Sequence, residues 1–169
     1  RDQGAKGRKL LEKTVNLSLS LQLKSLLENM GFTVYITRHN DSYTSLRDRG
    51  VMTKKWNADL FVSIHCNSSQ KKSVHGIECY ALTPKGTSST NKSVPEQRAV
   101  TGNKHDKINA KLVYDIHSNL IARTKGHDRG IKFQRFQVLR EATCPAILIE
   151  TGFLSNRKEE AKLSSQSYQ

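Results

Sequence analysis

No stretch of this 169-residue chain is apolar for long enough to cross a bilayer as a helix, so stable membrane insertion is not expected. Cysteine is scarce. Cys66, Cys79 and Cys144 form no Cys-x-x-Cys pair and no zinc-knuckle spacing, and three cysteines cannot all pair within one chain. Each abuts a predicted strand, so all three are expected to be small buried hydrophobes. Proline is rare, and no segment repeats. Acidic residues are outnumbered, 15 against 28 lysines and arginines, for a formal net charge of +13. That balance admits a polyanionic partner: nucleic acid, an anionic lipid surface or an acidic cell-wall polymer. The basic residues are scattered rather than clustered, which a solvated basic surface explains equally well. There is no recognition-helix pattern, no RNA-binding aromatic signature and no zinc-finger spacing, so nucleic-acid binding ranks last among the functions that charge alone suggests.

The length is that of one domain with a core of ordinary size. The chain opens on Arg1 rather than Met, which leads to the expectation of a fragment or a processed form. After a Gly-containing start, apolar residues recur at Val15, Leu19, Leu23, Leu26, Leu27 and Met30, predicting a helix over 12–30 that stops at Gly31. Residues 32–37 are β-branched and aromatic and read as a strand. A second helix is expected over roughly 45–56. Residues 76–82 read as a strand, and 84–105 as a long polar loop or insertion. Ile108, Leu112, Val113, Ile116, Leu120 and Ile121 mark a helix beginning at Asp106. A short strand pair is expected at 131–133 and 136–139, and a last helix from Arg157 to just after Leu163. This alternation predicts an α/β fold, a mostly parallel twisted β-sheet flanked by helices, in a single domain.

Two strands end on chemically active residues. Asp59-Leu60-Phe61-Val62-Ser63-Ile64 runs into His65, and Pro145-Ala146-Ile147-Leu148-Ile149 runs into Glu150. Ligands of open α/β sheets sit beyond the carboxyl ends of parallel strands. A histidine and a glutamate placed there point to metal-assisted or general acid/base chemistry. Each also has a duller reading. His65 fits a strand-end histidine with a structural partner, and Glu150 fits a carboxylate paired with an arginine. Ser68 and Lys71 form a Ser-x-x-Lys tetrapeptide, but its companion motifs are missing and a serine nucleophile is not expected. His39, His75, His105, His117 and His127 carry no metal-ligand spacing among themselves.

Taken in order, several stretches resemble the catalytic domain of the zinc-dependent N-acetylmuramoyl-L-alanine amidases of the amidase type 3 family. They are Asp2-Gln3-Gly4-Ala5-Lys6-Gly7; Glu12-Lys13-Thr14-Val15-Asn16-Leu17; Thr37-Arg38 through Asp41, with Leu46 and Arg49; Ser63-Ile64-His65-Cys66-Asn67; Gly76-Ile77-Glu78; Arg129-Gly130; Val138-Leu139-Arg140; and Glu150-Thr151-Gly152-Phe153-Leu154-Ser155-Asn156. The resemblance spans nearly the whole chain. It implies a peptidoglycan hydrolase that cleaves the amide between N-acetylmuramic acid and L-alanine of the stem peptide. It implies Zn2+ as cofactor, with Glu12 and His65 as two ligands and a third, the histidine of a Gly-His-Gly-Gly motif, upstream of Arg1. The first strand and the end of the last helix are expected to be absent from residues 1–169.

On this resemblance Glu150 is the general acid/base that serves a zinc-activated water, and Asn67 and Arg129 are candidate substrate-binding residues. Glu12 also fits a helix-start acid favoured by the macrodipole. Some relatives carry an insertion near 84–105 whose helix blocks the site until an activator binds. Here the segment is short and polar, and a solvated or wall-contacting arm is expected, although a protein activator stays open. The implied setting is extracytoplasmic and bacterial, in the periplasm, cell wall or medium, with peptidoglycan as partner and the protein a monomer. The competing expectation is a non-catalytic or activator-dependent wall-binding domain that keeps the amidase fold.

Overall fold

The computed structural model describes residues 3–169; Asp2, which opens the first motif, lies outside the described residues. Five helices and four strands follow in the order α1 (Glu12–Asn29), α2 (Leu46–Lys55), β1 (Phe61–Asn67), β2 (Ile77–Leu82), α3 (Asp106–Thr124), β3 (Asp128–Gln134), α4 (Gln137–Glu141), β4 (Ala146–Phe153) and α5 (Arg157–Leu163). The strands form one sheet in the order β1-β4-β2-β3. β2 and β3 pair in parallel. β1 and β4 also run the same way, since Phe61 N–H bonds Pro145 O at one end and Leu154 N–H bonds Asn67 O at the other. The fold is therefore the α/β class, with a mostly parallel sheet flanked by helices, that the alternating pattern predicts. The chain packs as two compact units.

One unit holds residues 45–63 and 77–149. Side-chain alternation along its strands builds two cores. Cys79, Ala81, Ile147 and Ile149 pack with Val113 and its neighbours Leu112, Ile116 and Leu120 on α3. The intervening residues Tyr80, Leu82, Ala146 and Leu148 pack with Val138, Leu139 and Ala142. Residues 136–139, expected as a strand, instead start α4: β3 takes the preceding residues, and Val138 and Leu139 meet the core from a helical turn. The 84–105 loop is better anchored than its polar sequence suggests. Thr90 N–H bonds Phe133 O at 2.8 Å, Phe133 N–H returns to Thr90 Oγ1 at 2.9 Å, and the buried Thr83 and Ser89 hydroxyls meet at 2.7 Å. This strap occupies backbone groups along β3, an edge strand that would otherwise be open to pairing. Among the described residues the 84–105 segment holds no α-helix, only a 3₁₀ turn at Thr101–His105.

The other unit holds residues 1–44, 64–76 and 150–169. Its core is Val15 on α1, Cys66 on β1, and Leu154 and Leu163 around α5. Among the described residues, 32–37 are not part of the four-stranded sheet, and Phe32 and Tyr35 are 58% and 56% exposed. β-Branched and aromatic composition alone does not make a strand, because strand propensity depends on tertiary context.

Two glutamates of α5 tie this unit together. Asn156 caps the helix, its Oδ1 accepting the Lys158 and Glu159 N–H groups. Glu159 then accepts the Gly76 N–H at 3.0 Å and the Phe153 N–H at 2.7 Å. Glu160 accepts the N–H groups of Lys9 and Leu10 at 2.6 and 2.9 Å. Burial raises the Glu160 carboxyl, but the backbone N–H groups that face it outweigh burial and hold it below the ordinary value of 4.5. With the folded pKa lowered, its contribution is complete above the ordinary value and fades as pH falls through the folded one. Glu160→Ala should therefore lose about 2–4 kcal/mol at pH 7, from charged hydrogen bonds removed and buried N–H groups stranded. Denaturant titrations of both proteins should show that gap shrinking as the pH is taken below 4.5.

Candidate active site

Glu12 opens α1, and its carboxylate gathers donors from three stretches of chain. Oε2 accepts the Ala5 N–H at 2.6 Å. Oε1 accepts from Asn16 Nδ2, one turn along α1, at 3.1 Å, and lies 2.8 Å from Nδ1 of His65 on β1. The Cys66 N–H approaches the same oxygen at 3.4 Å. The loop before α1 must pass very close to this carboxylate. A Cβ on Gly4 would fall 2.3 Å from Glu12 Oε2, and Gly4 has φ +66°, so no other residue fits without a shift. Gly7 plays the same part for the other glutamate: its Cβ would fall 2.3 Å from Glu160 Oε1.

Burial raises the Glu12 carboxyl, but the hydrogen bonds from His65 and Ala5 outweigh it and leave the group below its ordinary value. Glu12 is thus ionised at neutral pH. An ionised carboxylate only accepts, so His65 Nδ1 is the donor, and in the neutral ring Nε2 carries the lone pair. An imidazole nitrogen and a carboxylate oxygen are zinc-type donors. The two side chains are 29% and 12% exposed, so both remain reachable from solvent. They fit a metal as two donors of a set. Among the described residues no group of three His, Cys, Asp or Glu side chains is placed to hold an ion.

Glu150 and His65 lie within neighbouring strands rather than at their ends: β4 continues to Phe153 and β1 to Asn67. What marks the position on β4 is burial. Residues 146–149 are buried, and the strand opens to solvent at Glu150 and Thr151. The Thr151 hydroxyl donates to His65 O at 2.9 Å, and Cys66 Sγ lies 3.3 Å from Thr151 Oγ1. Burial pushes the Cys66 thiol up to about 12, with the charges of Glu12, Glu150 and Glu159 adding to it against the Thr151 hydrogen bond. Cys66 is buried packing in the core of this unit, to which Glu12, His65 and Glu150 all belong. The structure thus brings Glu12, His65 and Glu150 together in one unit.

Asn67, the last residue of β1, accepts the Ser68 N–H on its Oδ1 at 2.7 Å and the Leu154 N–H on its carbonyl. Arg129 belongs to the other unit. It stands where β3 gains a residue on β2, between the register Ile77↔Asp128 and Cys79↔Ile131. Such a bulge re-aims its side chain, and Arg129 Nε lies 3.5 Å from Glu78 Oε2. Glu78 is only 2% exposed and also pairs with Lys132. This gives Glu78, a motif residue with no role legible in the sequence, a place as the buried counter-charge of two cations.

Three of the remaining histidines make hydrogen bonds away from this pair. His75 bonds Ser73 O, His105 bonds Thr143 O, and buried His117 bonds Asp128 at 2.7 Å. Lys71 gives its backbone N–H to Ser69 Oγ. Asn16 and Thr151 were not singled out from sequence. Asn16 was findable, since Glu12 and Asn16 are four apart on one helix face. Thr151 was not, because its contact depends on which strand neighbours β4.

A family profile described as N-acetylmuramoyl-L-alanine amidase matches residues 1–169. The chain belongs to this amidase family. It is 34% identical, over 99% of its own length and 57% of the other's, to the sporulation-specific N-acetylmuramoyl-L-alanine amidase of Bacillus subtilis (strain 168). It is 32% identical to LytC of the same organism, of which it spans 30%. The amidase domain thus accounts for only part of these relatives. Its structure resembles the catalytic domain of CwlV from Bacillus (Paenibacillus) polymyxa var. colistinus, with TM-score 0.79 and 35% identity over 99% of this chain and 82% of that one. A Clostridium difficile 630 amidase gives TM-score 0.82 at 31% identity, again over 99% and 82%. The CwlD amidase of Clostridioides difficile, solved in complex with the GerS lipoprotein, gives 0.77 at 27%, over 99% and 84%.

The Thr151 bond to His65 O joins the two strands that carry the candidate residues. Thr151→Val keeps the shape and removes the donor, so it should cost about 1–2 kcal/mol in a urea titration.

Proposed function

We propose that this protein is a peptidoglycan hydrolase, cleaving the amide between N-acetylmuramic acid and the L-alanine of the stem peptide with Zn2+ as cofactor. The observation that carries the reading is the hydrogen-bonded Glu12–His65 pair, with Glu150 on the adjoining strand, at the family's motif positions. Glu12 and His65 would hold the ion, with the histidine expected upstream of Arg1 as third ligand. When bound there, zinc supplies Lewis-acid polarisation of the scissile carbonyl and activation of a water.

The chain's own residues do the rest. Glu150 accepts a proton from the attacking water as the new C–O bond forms at the lactyl carbonyl. It then delivers that proton to the alanine nitrogen as the C–N bond breaks, leaving a carboxylate on the sugar and a free amine on the peptide. Thr151 keeps β4 registered against His65 while this happens. Arg129 would meet a carboxylate of the stem peptide, with Glu78 offsetting one of the two cations beside it. Asn67 would orient substrate through its side chain. The basic surface suits an anionic wall, and the proposal takes the protein as an extracytoplasmic, monomeric bacterial enzyme. Among the described residues no helix is long and apolar enough to cross a membrane. That CwlD was solved with a lipoprotein supports a protein activator as a further partner.

The test is digestion of purified peptidoglycan by the full-length protein, with products identified by mass spectrometry. Stem peptides with a free L-alanine amine should appear, should vanish with a chelator, and should fall about 10²- to 10⁴-fold in rate for Glu150→Ala. Intact peptidoglycan from folded, zinc-loaded protein would instead favour an activator-dependent or non-catalytic wall-binding domain.

A further inference from the structure

We propose that Asn16 is the positioning residue for Glu12 and thereby sets the affinity of the candidate site for zinc. This rests on reading Glu12 and His65 as ligands. The terminal torsion of a glutamate is broad and roughly two-fold, so a carboxylate held at one oxygen can still turn. Ala5 holds Oε2 at 2.6 Å and Asn16 Nδ2 holds Oε1 at 3.1 Å, so the plane is pinned at both ends. The third contact, His65 Nδ1 at 2.8 Å, comes from a titratable ring that is itself a candidate ligand. Asn16 is the side-chain donor that does not titrate, and it rides on the same helix as Glu12.

A second observation separates this from packing. The Asn16 Oδ1 is buried and has no hydrogen-bond partner among the described residues. Asparagine is a poor choice for a helix interior, and an apolar residue would leave no orphan acceptor there. The amide is explained by its NH2 group. Partners that orient a metal ligand through hydrogen bonds are worth about 10- to 100-fold in metal affinity.

The experiment measures zinc affinity of the full-length protein by competition with a chromophoric chelator, with metal-free thermal melting as a check that each variant is folded. Asn16→Asp keeps the shape and loses the donor; Asn16→Ala loses both; Asn16→Gln keeps an amide donor. Affinity should fall about 10- to 100-fold for Asp and Ala, with Asp at least as damaging as Ala, and should partly recover for Gln. Unchanged affinity in Asp and Ala, or a loss in Ala that Asp does not share, overturns the proposal. Glu12→Ala and His65→Ala run beside them. If the wild type takes no zinc, or if these two variants bind it as well as the wild type, the ligand reading itself falls and the proposal with it. Zinc binding lost in Glu12→Ala but kept in Asn16→Asp overturns the positioning role alone.

Discussion

A carboxylate removed from bulk water must be surrounded by donors, and the unit that holds α1 is organised around meeting that requirement at Glu12. The loop that precedes α1 supplies the Ala5 N–H, the helix supplies Asn16, and β1 supplies His65. Each supply constrains the chain. The loop can come close only because Gly4 has no side chain. The helix must begin at residue 12 so that Asn16 falls one turn later. The strand must present His65 at the height of the helix start, and the Thr151 bond to His65 O carries that constraint on to β4. The placement of Glu12 and His65, and the ionised state of Glu12, thus depend on the same few contacts that hold the unit together.

The economy of acids in this sequence has the same logic. Acidic residues are few, and several of the best-placed ones are turned inward: Glu78 at 2% exposed and Glu160 at 6%. Glu160 faces backbone N–H groups, and Glu78 faces Lys132 and Arg129. Buried carboxylates so surrounded stabilise particular close approaches rather than general compactness. The lysines and arginines meanwhile stay largely outside, so the solvent-facing surface is more uniformly basic than a count of charges implies. A surface of that kind draws in an anionic polymer at long range and is screened by salt.

Much of this was legible in the sequence where one element decides the matter. The period of Val15, Leu19 and Leu23 marks α1, and the apolar run before Glu150 marks β4. His65, Glu12 and Glu150 could be named because their motifs are local. What was not legible depends on pairing in space. Residues 32–37 have strand composition but, among the described residues, are not part of the four-stranded sheet. Residues 136–139 have strand-like side chains but turn as α4. The 84–105 loop is polar in sequence yet tied along β3, because Thr83, Ser89 and Thr90 spend their hydroxyls and amides on neighbours that composition cannot reveal. Glu160 carries no local signal at all, since its partners are Lys9 and Leu10 at the opposite end of the chain.

These contacts bear on how the proposed site would meet its ion. A ligand that is loose before binding must be ordered by the metal, and part of the binding free energy is spent on that ordering. Glu12 is not loose: Ala5 and Asn16 fix its plane without involving His65. His65 is placed by β1 and by its carbonyl bond to Thr151, independently of its ring. An incoming cation would meet Glu12 already ionised and a His65 ring whose Nδ1–H is turned to that carboxylate, so that Nε2 is the nitrogen carrying the lone pair. Ion binding at such a pair would draw on donors already in place rather than on a folding event. The ordering costs are met when α1, β1 and β4 dock, by groups that are themselves neither ligands nor reactants.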